Sequence, residues 1–241
     1  MKKVAVDDVV IGEAPVMVCT VLEGDTESIL NGVQKGREAG ADLIEIRIDK
    51  LHSDEDLKEI LPHIDFPHIV SCRSKDGLGF FGGNEEEKAE RLMYALKTGV
   101  DIIDVELTMT ERLRNMIMDE ARTRKVPILL GYENMKETPR LDFLIEKARE
   151  IRDLHPGIAK VAVKAQGYED MLSVLHLTLA CNDIFDIPFA TIAVGPYGSA
   201  SRPLACVLGS SMTYCTTKKR EEAPPGQLSI EDTRKIIEIL Q

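Results

Sequence analysis

The stretch GIAKVAVKAQ, residues 157–166, has the composition of a buried β-strand and yet carries two lysines. Side chains alternate between the two faces of a strand, so Lys160 and Lys164 share one face with Ala162, while apolar residues fill the other. A lysine is almost never fully buried without a partner. The stretch therefore predicts either a strand with one solvated face or a lysine that is held away from water for a chemical purpose.

Short apolar, β-branched runs of this kind recur along the whole chain. They are spaced about 25 to 30 residues apart with amphipathic stretches between them, a pattern typical of βα units and a parallel sheet. The runs are VMVCTVL, DLIEIRID, HIVSCRS, DIIDVEL, PILLGY, IAKVAVK, FATIAV and MTYCTT. The predicted helices are Thr26–Ala39, Asp54–Leu61, Asn84–Lys97, Glu111–Arg124, Pro139–Asp153, Tyr168–Cys181, Arg202–Leu208 and Ile230–Leu240. Eight such units in 241 residues predict a (β/α)8 TIM barrel, with an open doubly wound sheet as the alternative.

The first residues of the chain predict an addition to this barrel. KVAVDDVVIG, residues 3–12, has two short apolar runs around an acidic pair, which predicts an extra N-terminal strand pair that closes the bottom of the barrel. No stretch has the composition of a linker, so we expect residues 1–241 to form one α/β domain. In such barrels the chemistry lies at the C-terminal ends of the strands.

The composition limits the partners and the compartment. The formal net charge of -11 argues against nucleic acid or an anionic membrane, because both need a basic surface, and it favours a small-molecule partner. No apolar run approaches the roughly 18 residues of a membrane span, and the opening MKKVAVDDVVIGEAP has acids where a signal peptide is apolar, so we expect a cytoplasmic protein. The spacing of the cysteines and histidines predicts reduced, buried thiols and no metal site.

Charged residues recur late in successive predicted strands. An ionised group inside a barrel is costly unless it is paired, so this recurrence favours a functional cluster, although a purely structural ion network would have the same pattern. The residues are Glu45, Arg47, Asp49, Arg73, Asp104, Glu106, Glu133, Lys160 and Lys164.

Two loops carry further signals. In GPYGSASRPLACVLGS, residues 195–210, Arg202 stands at the start of a predicted helix, which suits either a carboxylate or phosphate site or an ordinary helix start with a surface arginine. GLGFFG, residues 77–82, fits G-x-G-x-x-G but does not pass directly from the first strand into a helix. We therefore reject a dinucleotide site there and predict a mobile loop over the barrel mouth.

A lysine that is kept from water has a lowered pKa and can attack a ketone to form a Schiff base. The spacing alone does not choose between Lys160 and Lys164, although Lys164 lies nearer the C-terminal end of its strand.

Several motifs follow one another in order along nearly the whole chain: IEIRID, SCRS, DIIDVEL, KETP, IAKVAVKAQ, GSASR and KKREEAPPGQLSIEDTRKIIEIL. In this order they resemble the type I 3-dehydroquinate dehydratases, the Schiff-base dehydratases of the shikimate pathway. The resemblance implies a lyase that converts 3-dehydroquinate to 3-dehydroshikimate in a (β/α)8 barrel, commonly as a homodimer and with no cofactor.

The resemblance also implies roles for individual residues. Lys160 matches the Schiff-base lysine, Arg202 matches the arginine that grips the substrate carboxylate, and Gln227 matches the glutamine of a closing loop. The residues that match those binding the ring hydroxyls are Glu45, Arg47 and Arg73.

Two positions depart from the family pattern. The family has its general acid/base histidine in a stretch like S-N-H-D-F-x-K-T-P, whereas GYENMKETP places Glu133 at that position, and Ala223 stands where a serine or threonine of the closing loop is frequent. A glutamate can serve as the base, although its ordinary pKa of about 4.3 suits near-neutral proton transfer less well than the value of about 6.5 for histidine. An ionised Glu133 near Lys160 would also favour the unreactive ammonium form.

Three functions follow from these residues. The favoured one is a dehydratase with Lys160 as the nucleophile and Glu133 as a replacement base. The second is another Schiff-base lyase or aldolase that acts on a related hydroxylated keto acid. The third is a catalytically silent paralogue that binds a cyclic carboxylate.

Overall fold

The computed structural model describes residues 2–217 and 226–241, apart from the side chain of Asp76. Residues 218–225, which include Ala223 and most of the segment matching the closing loop, lie outside the described residues. The strands are β1 (Val4–Val6), β2 (Val9–Ile11), β3 (Val16–Val21), β4 (Leu43–Arg47), β5 (His68–Ser71), β6 (Ile102–Glu106), β7 (Ile128–Asn134), β8 (Ile158–Lys164), β9 (Phe189–Val194) and β10 (Met212–Cys215). The α-helices are α1 (Thr26–Glu38), α2 (Asp56–Ile60), α3 (Glu85–Thr98), α4 (Glu111–Arg124), α5 (Leu141–Asp153), α6 (Tyr168–Ile184), α7 (Ser201–Val207) and α8 (Ile230–Leu240).

Eight parallel strands form a nearly closed barrel in the order β10-β3-β4-β5-β6-β7-β8-β9. The remaining seam between β9 and β10 is bridged at its lower end, where the backbone N–H of Ser211 donates to the carbonyl of Phe189 at 2.7 Å. Each barrel strand is followed along the chain by a helix. The predicted (β/α)8 barrel is therefore confirmed, and an open doubly wound sheet is excluded by the bridged seam.

The predicted helix starts are confirmed where the sequence carries capping signals. Asn84 and Glu87 form a capping box at the start of α3, with both reciprocal hydrogen bonds at 2.8 and 2.9 Å. Ser229 caps α8 by accepting from the backbone N–H of Asp232 at 3.0 Å. Among the described residues, no helix has the length and the apolar character that crossing a membrane would require.

The inward face of the barrel changes character from one end to the other. At the N-terminal end the first inward side chains of the strands form one apolar cluster: Val16, Leu43, Ile69, Ile102, Leu129, Ile158 and Met212. Two residues further along β4, β5, β6 and β8, the inward positions are polar or charged: Glu45, Ser71, Asp104 and Lys160. The apolar layer therefore forms a dry floor beneath the charged residues.

The N-terminal hairpin of β1 and β2 is confirmed as an antiparallel pair. Its Val6 and Ile11 belong to the same apolar cluster as the floor of the barrel, and both are buried. The backbone N–H of Lys2 donates to the carbonyl of Asp186, next to the start of β9. The hairpin thus covers the bottom of the barrel, opposite the charged end.

One detail of the predicted strands is wrong. Simple alternation places Glu45, Arg47 and Asp49 on one face of a single strand, but β4 ends at Arg47 and residues Ile48–Lys50 form a 3₁₀ turn. The turn places the Asp49 carboxylate back against Arg47, where it accepts two hydrogen bonds at 2.7 and 3.0 Å. Asp49 therefore supports the site from outside the strand.

Candidate active site

A cavity of about 1490 Å³ opens at the C-terminal ends of the barrel strands. Its walls come from six barrel strands and from the loops at this end of the barrel. The seven residues to which the comparison with the family pattern assigned a role all line it: Glu45, Arg47, Arg73, Glu133, Lys160, Arg202 and Gln227. The location agrees with the general rule that (β/α)8 enzymes carry their chemistry at this end.

The structure separates the two lysines of β8. Lys160 is only 3% exposed, whereas Lys164 is exposed at the end of the strand. The neighbouring position on β7 is Gly131, and a Cβ atom there would lie 3.0 Å from the Lys160 side chain. The glycine therefore leaves the room that the lysine side chain needs, and Lys160 is the lysine that is held away from water.

Two carboxylates hold the Lys160 ammonium group. Its Nζ atom lies 2.6 Å from Oδ2 of Asp104 and 2.8 Å from Oε1 of Glu133. Arg73 contacts the same two oxygens, at 2.5 Å and 2.8 Å. Two cations and two carboxylates thus form a closed square of ion pairs in which all four side chains are nearly inaccessible to solvent.

This square extends to the outer layer of the fold. Arg73 also lies 3.7 Å from Glu106, and Glu106 pairs with Lys88, which reaches in from α3. Lys88 donates a second hydrogen bond to Ser74 at 3.2 Å. The orientation of Arg73 is therefore supported from a helix as well as from the barrel.

The charges in the square oppose the chemistry expected of a Schiff-base lysine. Burial and the charge of Arg73 act to lower the pKa of Lys160, but Asp104 and Glu133 outweigh them and raise it above its ordinary value. Burial acts to raise the pKa of Glu133, but Arg73 and Lys160 hold it well below its usual range. In the absence of a ligand Lys160 is therefore an ammonium group and Glu133 a carboxylate.

Glu45 and Arg47 occupy the adjacent wall. The Glu45 carboxylate accepts hydrogen bonds from Thr20 at 2.8 Å and from Ser71 at 2.9 Å, which fixes it on the inner surface. Arg47 is held by Asp49, whose carboxylate also accepts from the backbone N–H of Phe80 at 2.9 Å. The loop that the sequence predicts to be mobile is thus tied at Phe80 to the residue that orients Arg47.

Arg202 is a buried cation with no carboxylate partner among residues 2–217 and 226–241. Its guanidinium donates to two backbone carbonyls, those of Gly226 at 2.7 Å and Tyr214 at 2.9 Å. Burial lowers the pKa of Arg202 to about 10, which still leaves it charged at neutral pH. A buried charge is stable only when it is paired, so this corner of the cavity is arranged to receive an anion. Gln227, half-buried beside Gly226, lines the same corner.

Two residues of the site, Asp104 and Tyr214, have a larger part than the sequence indicated. Asp104 joins Lys160 to Arg73, although it lies on β6 and Lys160 on β8, two strands apart. The alternating D-x-E at the end of β6 indicated a charged position at Asp104, but it does not predict which residue across the barrel is its partner. Tyr214, on β10, gave no signal because it reads as an ordinary apolar strand residue.

Comparisons with known proteins agree with this geometry. A family model described as type I 3-dehydroquinase matches residues 17–241. A 3-dehydroquinate dehydratase of Methanosarcina mazei is 32% identical over 223 residues, which cover 89% of this chain and 92% of that protein. One from Methanothermobacter thermautotrophicus is 31% identical over 219 residues, covering 90% and 93% of the two chains.

A solved structure supports the same assignment. The 3-dehydroquinate dehydratase of Geobacillus kaustophilus has a TM-score of 0.90 and 26% sequence identity, and the match covers 100% of this chain and 96% of that chain. The family match spans nearly the whole chain. The chain therefore belongs to the type I 3-dehydroquinase family.

Proposed function

We propose that this protein dehydrates 3-dehydroquinate to 3-dehydroshikimate through a Schiff base on Lys160, with Glu133 as the group that carries protons. Membership of the type I 3-dehydroquinase family supports the substrate and the reaction. The observation that carries the mechanism is the 2.8 Å contact between Nζ of Lys160 and Oε1 of Glu133. At this distance a proton moves directly between the two groups.

The contact accounts for the formation of the imine. Glu133 takes a proton from the Lys160 ammonium group, and the resulting amine adds to the ketone carbon. The carbonyl electron pair moves to the oxygen, which receives the proton from the Glu133 carboxyl group, and the nitrogen then returns one proton to Glu133. The same carboxyl group protonates the hydroxyl as it leaves as water, and the C=N bond forms.

The elimination uses Glu133 again. Its carboxylate removes a proton from the carbon next to the imine, and the electrons move into the ring to form an enamine. The enamine expels the hydroxyl group on the following carbon, which takes the proton back from Glu133 and leaves as water. Hydrolysis of the conjugated imine then releases the product and regenerates the Lys160 amine.

The remaining residues of the cavity wall suit the rest of the substrate. Arg202, a buried cation without a carboxylate partner in the described part of the chain, is proposed to bind the substrate carboxylate. We propose that Gln227, which lines the same corner, adds a polar contact over the substrate. The residues proposed to bind the ring hydroxyls are Glu45, Arg47 and Arg73.

The replacement of histidine by glutamate has a cost that can be put in numbers. The ordinary pKa values of lysine and glutamate differ by about 6 units, so moving the proton from Lys160 to Glu133 costs at least about 8 kcal/mol, and the ion pairs of the square, which move the two pKa values further apart, add to this cost. With histidine the difference is about 4 units, or about 5 kcal/mol. Both values fit within the barrier of about 13 to 17 kcal/mol that corresponds to ordinary turnover numbers. We therefore expect Glu133 to give a slower catalysis than a histidine in the same position, and the more so while the square of ion pairs is intact.

Trapping of the imine tests this proposal. The protein is incubated with 3-dehydroquinate and reduced with borohydride, and the adduct is located by mass spectrometry, with Lys160→Ala as the negative control. An adduct on Lys160 that is lighter by one water than the simple reduced imine is the expected result. An adduct that retains the water would favour another Schiff-base lyase, and binding of the substrate with no adduct would favour a silent paralogue.

We also propose that the protein is a homodimer and is located in the cytoplasm. Helix α6 exposes an apolar stripe formed by Tyr168, Leu172 and Leu179, with exposed fractions of 68%, 45% and 48%. Leucines exposed along one helix face suit contact with a second copy of the same helix. All five cysteines are buried and unpaired, which suits a reducing compartment.

A further inference from the structure

The side chain of Tyr214 lines the active-site cavity next to Lys160. It lies on β10 with its ring centroid 5.5 Å from the Lys160 Nζ atom, and the residue is 7% exposed. Its hydroxyl oxygen is buried and has no hydrogen-bond partner among the described residues. The mechanism above gives this hydroxyl no part.

An unpartnered phenol is a poor choice for a purely structural position. Buried tyrosine hydroxyls nearly always have a partner, and leaving one without a partner destabilises the protein. Phenylalanine would fill the same space on β10 without that penalty. The hydroxyl is therefore explained best by a ligand that supplies the missing acceptor.

The position of Tyr214 indicates which atom of the ligand supplies the missing hydrogen-bond acceptor. Its backbone carbonyl accepts from Arg202 at 2.9 Å, while its ring lies beside Lys160. A substrate with its carboxylate at Arg202 and its ketone carbon at Lys160 therefore passes across Tyr214. The oxygen of that ketone is the substrate acceptor nearest to Lys160 throughout the addition.

The groups that already surround Lys160 do not provide a free donor for this oxygen. Asp104 and Glu133 are carboxylates, and Arg73 is engaged with both of them. Burial raises the pKa of the Tyr214 hydroxyl, with Lys160 opposing the shift, so the phenol keeps its proton at neutral pH. A neutral phenol is a hydrogen-bond donor that needs no change of charge.

We infer that the Tyr214 hydroxyl donates a hydrogen bond to the ketone oxygen of the substrate while Lys160 adds to the carbonyl carbon, an inference that rests on the proposed function. As the N–C bond forms, the electron pair of the C=O bond moves to the oxygen, and the phenol stabilises the charge that develops there. Tyr214 keeps its proton throughout, since the proton that the oxygen finally receives comes from Lys160 through Glu133. A donor aimed at developing charge acts more strongly on the transition state than on the bound substrate.

The test is a single-turnover experiment on Tyr214→Phe, in which enzyme and 3-dehydroquinate are mixed, quenched with borohydride at increasing times and analysed for the Lys160 adduct. We expect total adduct to form about 100- to 1000-fold more slowly than in the unsubstituted protein, as for loss of one donor to a developing oxyanion. The affinity for quinate, which keeps the carboxylate but has no ketone, stays unchanged. Tyr94→Phe, on the outer helix α3 and away from the cavity, is the matched control.

Thermal unfolding of the same variant distinguishes a catalytic role from a structural one, because loss of a structural hydroxyl would lower the unfolding temperature. Because the hydroxyl has no partner in the described part of the protein, Tyr214→Phe is expected to unfold at the same or a higher temperature while reacting more slowly. Equal rates of adduct formation, or a lowered unfolding temperature, would overturn the assignment of Tyr214 alone. No adduct in the unsubstituted protein would overturn the proposed function, and this inference with it.

Discussion

Replacing Glu133 by glutamine separates the two chemical tasks proposed for it. The amide has nearly the same size, and its oxygen still accepts hydrogen bonds, but it carries no charge and takes up no proton. At an effective dielectric constant of about 20, two unit charges 2.8 Å apart attract each other by about 6 kcal/mol before desolvation. Removing this attraction leaves Arg73 and Asp104 as the charges nearest to Lys160, so the pKa of Lys160 falls in Glu133→Gln.

The two effects act on different steps of the reaction. A lower pKa supplies more free amine, so imine formation in Glu133→Gln remains possible at neutral pH. The elimination, however, has lost its base, and general-base catalysis of this kind contributes about 10²- to 10⁴-fold. We therefore expect the turnover number to fall by that factor and a covalent adduct that still holds the water to accumulate on Lys160.

Rapid mixing followed by borohydride reduction and mass spectrometry measures both adducts in one experiment. Glu137→Gln removes an exposed glutamate from the loop that follows β7 and should behave like the unsubstituted protein. If Glu133→Gln gave the dehydrated adduct at the unsubstituted rate, Glu133 would not be the base. The carboxylate of Asp104, which lies 2.6 Å from Lys160, would then be the next candidate.

Three further substitutions test the other assignments. Arg202→Ala should raise KM by about 30- to 5000-fold with a smaller effect on kcat, because losing one partner of a buried charge pair costs about 2 to 5 kcal/mol, and a change confined to kcat would contradict its assignment to the carboxylate. Lys164→Ala should keep steady-state activity within about twofold, since this lysine is exposed, whereas loss of the borohydride adduct would move the Schiff base to Lys164. Leu172→Glu combined with Leu179→Glu should convert the proposed dimer to a monomer in light scattering, and an unchanged mass would rule out the α6 stripe as the interface.

The periodicity of the sequence was sufficient to predict the barrel, because each strand is buried on both faces and each helix on one. The strand register across the barrel was not predictable in the same way. Asp104 and Lys160 meet from β6 and β8 across the interior, over a sequence separation of 56 residues. Local patterns carry no information about which charged strand ends face one another, so the square of ion pairs required the structure.

The roles of individual charged residues were likewise difficult to predict from the local sequence. Lys160 and Lys164 lie on the same face of the strand by alternation. Only the structure, in which β8 ends at Lys164, shows that Lys164 is exposed to solvent and Lys160 is buried. Arg202 could be read as a surface arginine, and its significance comes from the lack of a carboxylate partner in the described part of the chain. The resemblance to the family identified Lys160 and Arg202 because it compares motifs along the whole chain, which the pattern of a single strand does not do.

The pH dependence of imine formation decides how Lys160 loses its proton. Transfer from the ammonium group to Glu133 within the 2.8 Å contact does not change the number of protons bound by the pair. Its rate is therefore independent of pH between the lowered pKa of Glu133 and the raised pKa of Lys160. We expect a flat profile from about pH 5 to about pH 9, since the ordinary values of about 4.3 and 10.4 move apart in the folded protein.

Glu133→His provides the contrast for this measurement. Its imidazole, with an ordinary pKa of about 6.5, should raise the rate at pH 8 by up to about 100-fold, because the proton transfer becomes about 3 kcal/mol less costly. Below about pH 6.5 the protonated imidazole no longer accepts a proton, so the rate of the variant should fall about tenfold per unit. If instead the unsubstituted protein sped up about tenfold per unit from pH 6 to pH 9, Lys160 would be losing its proton to solvent. The short contact with Glu133 would then suppress the reaction and not support it.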